Sequence, residues 1–120
     1  MTRLSDSEWK IIELMWDRGP MSMMDVTRAL ADDTGWNKAT VMTLMKRMES
    51  KGALSHFDGE KAMYFYPLIE KQDAALEETK TFLNKVYKGK IGLMISNLIK
   101  QEALSEEEIE ELHRILKEGE

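Results

Sequence analysis

WNKATVMTLMKRMESKG, residues 36–52, combines a strict apolar periodicity with a cluster of cations. Val41, Leu44, Met45 and Met48 fall at i, i+3, i+4 and i+7, which places all four on one face of a helix and makes that face core. Asn37 is a good N-cap, and Gly52 stands just past the end, where a left-handed cap is needed. The opposite face carries Ala39, Thr43, Lys46 and Ser50, with Thr40, Met42 and Arg47 on its shoulders. Four cations, Lys38, Lys46, Arg47 and Lys51, against the single acid Glu49 give residues 37–52 a local charge of +3. Small and hydroxyl-bearing side chains near the start of such a helix suit base edges, while Lys46 and Arg47 further along suit phosphates or guanines. Taken alone, the stretch reads at least as well as a solvated surface helix. Its neighbours decide between the two.

Upstream, Ser5 and Glu8 form a capping box before an apolar series at Trp9, Ile12, Leu14, Met15 and Trp16, which predicts a helix running to about Asp17 and stopping at Arg18-Gly19-Pro20. Ser22 with Asp25 opens a second helix, with Met24, Val26, Ala29 and Leu30 as its apolar residues, before the break at residues 32–35. Downstream the periodicity becomes alternating. Residues 53–57 and 62–66 are β-prone runs flanking Asp58-Gly59-Glu60-Lys61, the pattern of a hairpin. Three helices followed by a hairpin make a winged helix-turn-helix, whose third helix enters the DNA groove.

Beyond Pro67 the chain is helical again. Residues 69–87 carry Ala75, Leu76, Phe82, Leu83 and Val86 on one broad face; Ile91, Met94, Ile95, Leu98 and Ile99 repeat at helical spacing; and a capping box from Ser105 to Glu108 opens a third helix striped by Ile109, Leu112, Ile115 and Leu116. Three amphipathic helices after a complete small domain need something to bury against, and the same helices of a second copy serve. The expected fold is mainly α with a minor β hairpin: a winged helix-turn-helix over residues 1–68 and a helical dimerisation domain over 69–120, with Phe82, Leu83, Val86, Ile95, Leu98, Ile109, Leu112 and Leu116 at the dimer interface.

The charge balance is consistent with this division. The chain is −5 overall, but residues 1–67 hold nine cations against ten acids and residues 68–120 eight against twelve, so the acid is concentrated in the back half and the positive field is local to the reading helix. A chain of 120 residues fits one domain with an appendage. The absence of cysteine excludes disulfides, thiolate metal sites and a cysteine nucleophile. The start, MTRLSDSEWK, lacks the apolar core of a signal peptide, and no run approaches the ~20 apolar residues of a membrane helix, so a cytoplasmic protein without membrane insertion is expected.

LSDSEWKIIELMW, WNKATVMTLMKRMESKGAL, YFYPLI and FLNKVYKGKIGLMISNLIKQEALSEEEIEELHRILKE together resemble the penicillinase and methicillin-resistance repressor family (BlaI/MecI), across nearly the whole chain. The resemblance implies a homodimeric, DNA-binding transcriptional repressor on a palindromic operator, controlling β-lactamase or other antibiotic-response genes. It implies DNA contact by Lys38, Thr40, Thr43, Lys46 and Arg47, and backbone contact by the wing around Lys61. It also implies a membrane sensor protease as a partner, with Asn97–Leu98 as the matching proteolytic bond, although here Leu98 stands where the family has Phe and reads as dimer core rather than as a cleavage site. The paired cysteines of the copper-responsive relatives are missing, which excludes thiolate copper sensing.

Other chemistry finds no support in the sequence. His56 and His113 lack a third ligand at metal spacing, and the ten methionines read as adaptable packing, with Met24, Met45 and Met48 on core faces. The acids between Glu106 and Glu111 favour the start of a helix dipole. With no nucleophile–base pair, phosphate loop or metal cluster, neither an enzyme nor a cofactor is expected. The alternative is a winged-helix protein-interaction module without sequence-specific DNA binding, favoured by the acidic total and by Asp58 and Glu60 flanking Gly59 at the wing tip.

Overall fold

The computed structural model describes residues 3–119. Its elements are α1 (Asp6–Arg18), α2 (Met23–Thr34), α3 (Lys38–Ser50), β1 (Leu54–Asp58), β2 (Met63–Pro67), α4 (Lys71–Tyr87), α5 (Ile91–Lys100) and α6 (Glu106–Glu118). Ser5, Ser22 and Ser105 each close a reciprocal capping box, and Asn37 caps α3 through its side-chain oxygen, so four helix starts are set by local hydrogen bonds.

The turn from α3 into β1 shows why the first strand begins one residue later than its sequence suggests. Gly52 takes φ +82°, its N–H donates to the Glu49 carbonyl, and the Ala53 N–H donates to the Met48 carbonyl at 2.9 Å. This pair of bonds is a Schellman closure, which satisfies the last helical carbonyls. Ala53 is therefore spent on ending the helix, and its side chain is buried. The antiparallel hairpin then pairs Leu54 with Pro67 and Asp58 with Met63. Met21, in the α1–α2 connection, exchanges both backbone hydrogen bonds with Phe65, an extra bridge along β2 that the sequence reading does not contain.

Two compact units divide the chain, Met1–Glu78 and Thr79–Glu120. In the first, Ile11, Ile12, Met15, Val26, Val41, Met45, Met48, Leu54 and Phe65 form a core drawn from α1, α2, α3 and the hairpin. The early part of α4 belongs to the same unit, with Ala74 buried. Trp9, Trp16 and Trp36 pack against this core, and the Trp16 indole N–H donates to the Ile69 carbonyl at 3.0 Å. Met24 departs from expectation: it is half-buried and outside the core, because Val26, Ala29 and Leu30 turn inward with Met23, and Met24 stands about 100° round the helix from Met23.

Among the described residues, the second unit has no core of this kind. No residue of α5 or α6 is buried. Ile91, Leu93, Ile99, Ile115 and Leu116 are exposed, as are Phe82 and Val86 toward the end of α4.

Candidate nucleic-acid interface

Helix α3 turns Val41, Leu44, Met45 and Met48 into the core and leaves Lys38, Ala39, Thr40, Met42, Thr43, Lys46, Arg47 and Ser50 exposed. Each expected contact residue on this helix is thus on the surface. The Asn37 side chain accepts from the Thr40 N–H at 2.9 Å, which organises the first turn. Thr43 donates its hydroxyl proton to the Ala39 carbonyl at 3.0 Å, so outward it presents a methyl group and an acceptor oxygen. Such a side chain is suited to a methyl group or an amine donor rather than to an acceptor.

The cations fall into two sets. Lys38 and Lys46 form no ion pair among the described residues, nor does Lys61, and Lys38 and Lys61 line one cleft of about 260 Å³ with Ser22, Met23, Met24, Ala62, Met63 and Phe65. The hairpin is closed by the Gly59 N–H donating to the Ala62 carbonyl, and the Tyr64 ring lies so near Gly59 that a Cβ there would come within 2.5 Å of it. A glycine is needed at this tip for the close approach.

Arg47 and Lys51, one helical turn apart, converge instead on Glu8 of α1. Arg47 Nε donates to Glu8 Oε2 at 3.0 Å and Lys51 Nζ to Oε1 at 2.6 Å, and the Glu8 side chain is fully buried. Oε1 also accepts from the Ser5 N–H at 2.8 Å, and Lys51 Nζ donates in addition to the Arg3 carbonyl. Burial pushes the Glu8 carboxyl up, but the hydrogen bonds from Lys51, from the Ser5 amide and from Arg47 outweigh it and bring the pKa from 4.5 down to about 2. Sequence reasoning assigns Glu8 to the capping box alone. The available signal is the i, i+4 pair Arg47 and Lys51 beside core Met48, which asks for a buried anion without saying where it comes from. A second cross-link ties the end of α3 to β1, through His56 Nδ1 and the Glu49 carboxylate.

Asn97 and Leu98 lie inside α5, where the Asn97 carbonyl accepts from the Gln101 N–H and the Leu98 carbonyl from the Ala103 N–H. The Asn97 side-chain amide donates to the Tyr87 hydroxyl at 3.3 Å. Of the residues expected at a dimer interface, Phe82, Val86 and Leu116 are exposed and Leu83, Ile95, Leu98, Ile109 and Leu112 half-buried. Among the described residues no group of three His, Asp or Glu converges as a metal site, and no helix is long and apolar enough to cross a membrane.

The sequence model described as "Penicillinase repressor" matches residues 4–118. The chain belongs to the penicillinase repressor family. As a member, it is 32% identical over 113 residues to the methicillin resistance regulatory protein MecI of Staphylococcus aureus strain N315, covering 94% of this chain and 92% of MecI. The penicillinase repressor of Bacillus licheniformis is 30% identical over 116 residues, covering 97% of this chain and 91% of that one. Among solved structures, the monomeric form of Bacillus licheniformis BlaI in complex with the blaP half-operator matches with a TM-score of 0.53 at 25% identity, over 60% of this chain and 88% of that one. The family's winged helix-turn-helix is therefore the fold of this chain's α1–α3 and hairpin.

Proposed function

We propose that this family member is a DNA-binding transcriptional repressor that occupies a two-fold operator as a homodimer. Residues 1–68 read DNA and residues 69–120 pair the two copies. The observation that carries the reading is the division of α3 into a buried face and an outward face bearing Lys38, Thr40, Thr43, Lys46 and the free end of Arg47. The α3 N-terminus adds its own positive end to that face. Lys61 on the wing supplies a backbone contact beside Lys38, across the cleft they share.

Dimerisation is supported by the exposed apolar residues Phe82, Val86 and Leu116, which with the half-buried Leu83, Ile95, Leu98, Ile109 and Leu112 meet their equivalents in a second copy. The names of the relatives point to an antibiotic-response gene, such as one for a β-lactamase, as the target. Induction by a membrane sensor protease belongs to the same proposal, with cleavage at Asn97–Leu98. That bond is hydrogen-bonded within α5, so cutting it requires the helix to unwind there. The repressor acts in the cytoplasm, where its operator is.

Selection of duplexes from randomised DNA by the full chain tests the reading. It yields two inverted half-sites centred about one helical turn, roughly 34 Å, or a multiple apart. Recovery of unrelated sequences by a folded dimer overturns it in favour of the interaction module, which the acidic wing tip at Asp58 and Glu60 would suit.

A further inference from the structure

Arg47 reaches the surface of α3 already engaged. One of its five N–H donors, at Nε, is taken by a carboxylate with no exposed surface, while the side chain as a whole is 49% exposed. The two terminal amino groups are what remains to meet a ligand. The anchoring carboxylate is itself held at three points, because Glu8 accepts from Ser5, Lys51 and Arg47 together and sits in the first turn of α1. Lys51 is held more firmly still, with its second hydrogen bond to the Arg3 carbonyl and only 22% of its side chain exposed.

Resting on the DNA-binding reading, we propose that Glu8 is a positioning residue for operator recognition: its buried carboxylate fixes the Arg47 guanidinium in one orientation and withdraws Lys51 from phosphate binding. Two consequences follow from the chemistry. A guanidinium clamped at Nε presents its terminal amino edge as a fixed fork, which suits the paired acceptors of a guanine or a phosphate and discriminates by geometry. A free arginine on the same helix would follow whichever acceptor was nearest. Glu8 also reduces the local charge of residues 37–52 from +3 to +2, which lowers the sequence-independent attraction that competes with specific binding. A carboxylate with no exposed surface of its own thus raises the ratio of specific to non-specific affinity.

The test uses the full chain, a duplex that the wild type selects from randomised DNA, single-base variants of that duplex, and scrambled DNA, each over a range of salt. Glu8→Gln keeps the size and an acceptor oxygen but removes the charge. It is expected to bind scrambled DNA more tightly, to steepen the slope of log K against log salt by about 0.9 for each released cation that reaches a phosphate, and to lose about tenfold in preference for the selected duplex. A plain staple between α1 and α3 would lower folding stability and leave slope and preference where they were in the folded protein. That result overturns the proposal.

Two further measurements hold if Glu8→Gln fails to fold. Arg47→Lys keeps a charge without the fork, and is expected to lose preference by a similar factor; full retention of preference overturns the proposal. In the wild type, the Arg47 Nε–H resonance should exchange with water more slowly than that of the exposed Arg28 and stay protected on adding DNA. Exchange at the rate of Arg28, free or bound, means that no clamp operates. A wild type without sequence preference would sink the DNA-binding reading itself, whereas a selective wild type with an unprotected Arg47 and a neutral Glu8→Gln sinks only the role of Glu8.

Discussion

Acid should destabilise the winged-helix unit through one residue more than any other, and that residue is Glu8. Its carboxyl lies near pKa 2 in the folded protein against 4.5 in the unfolded chain. A carboxyl depressed by folding contributes stability that is fully present above the unfolded value and is lost as pH falls through the folded value. The gap of roughly 2.5 units corresponds to about 3 kcal/mol at neutral pH, of which about 2 kcal/mol is gone by about pH 3. Against total stabilities of about 5–15 kcal/mol, this is a large share for one side chain. Glu8→Gln mimics the protonated form, so other titrating groups cancel when variant and wild type are compared. All three tryptophans, Trp9, Trp16 and Trp36, lie in the Met1–Glu78 unit, so tryptophan fluorescence reports this unit alone. Urea titrations followed in this way should show the wild type's advantage shrinking by about 2 kcal/mol between about pH 6 and pH 3. An advantage independent of pH would refute the argument, because Glu8 would then stabilise by shape rather than by its charge.

Gly52→Ala should cost about 1 kcal/mol in the same urea assay, since φ +82° strains any residue with a Cβ; an unchanged midpoint would mean that the helix end has another closure. Thr43→Ala should alter preference at one base pair by ~1–3 kcal/mol in a titration of single-base operator variants, and equal loss on every variant would sink its reading role. Lys46→Ala should weaken binding on all sequences and flatten the salt slope by about 0.9, measured as affinity against salt. Leu116→Glu, on the most exposed large apolar residue of α6, should convert dimer to monomer in analytical ultracentrifugation; a dimer of unchanged affinity would place the pairing surface elsewhere.

What could be read in the sequence was local. Ser5, Ser22, Asn37 and Ser105 cap helices through partners three residues away, and such pairs are visible in one line of text. The inward face of α3 was equally plain, because four apolar residues at helical spacing have few alternatives. The residues that escaped are those settled by distant parts of the chain. Glu8 meets Arg47 and Lys51 across 39 and 43 residues, and its second role as anchor is hidden behind its first as a cap. Met21 gains a strand partner only once β2 lies beside it. Ala53 is β-prone by position yet is consumed by the helix end, and Met24 is apolar yet stays outside the core, because Met23, Val26, Ala29 and Leu30 take the inward places.

Recognition of DNA by the outward face of α3, carried by a dimer, underlies every role proposed above. The decisive experiment is titration of the purified full chain onto its own upstream intergenic DNA, against scrambled competitor at two salt concentrations and with the mass of the complex determined. A dimer is expected that prefers its own DNA by at least ~10³-fold and weakens steeply as salt rises. A well-folded dimer that binds both DNAs alike, or neither, would contradict it.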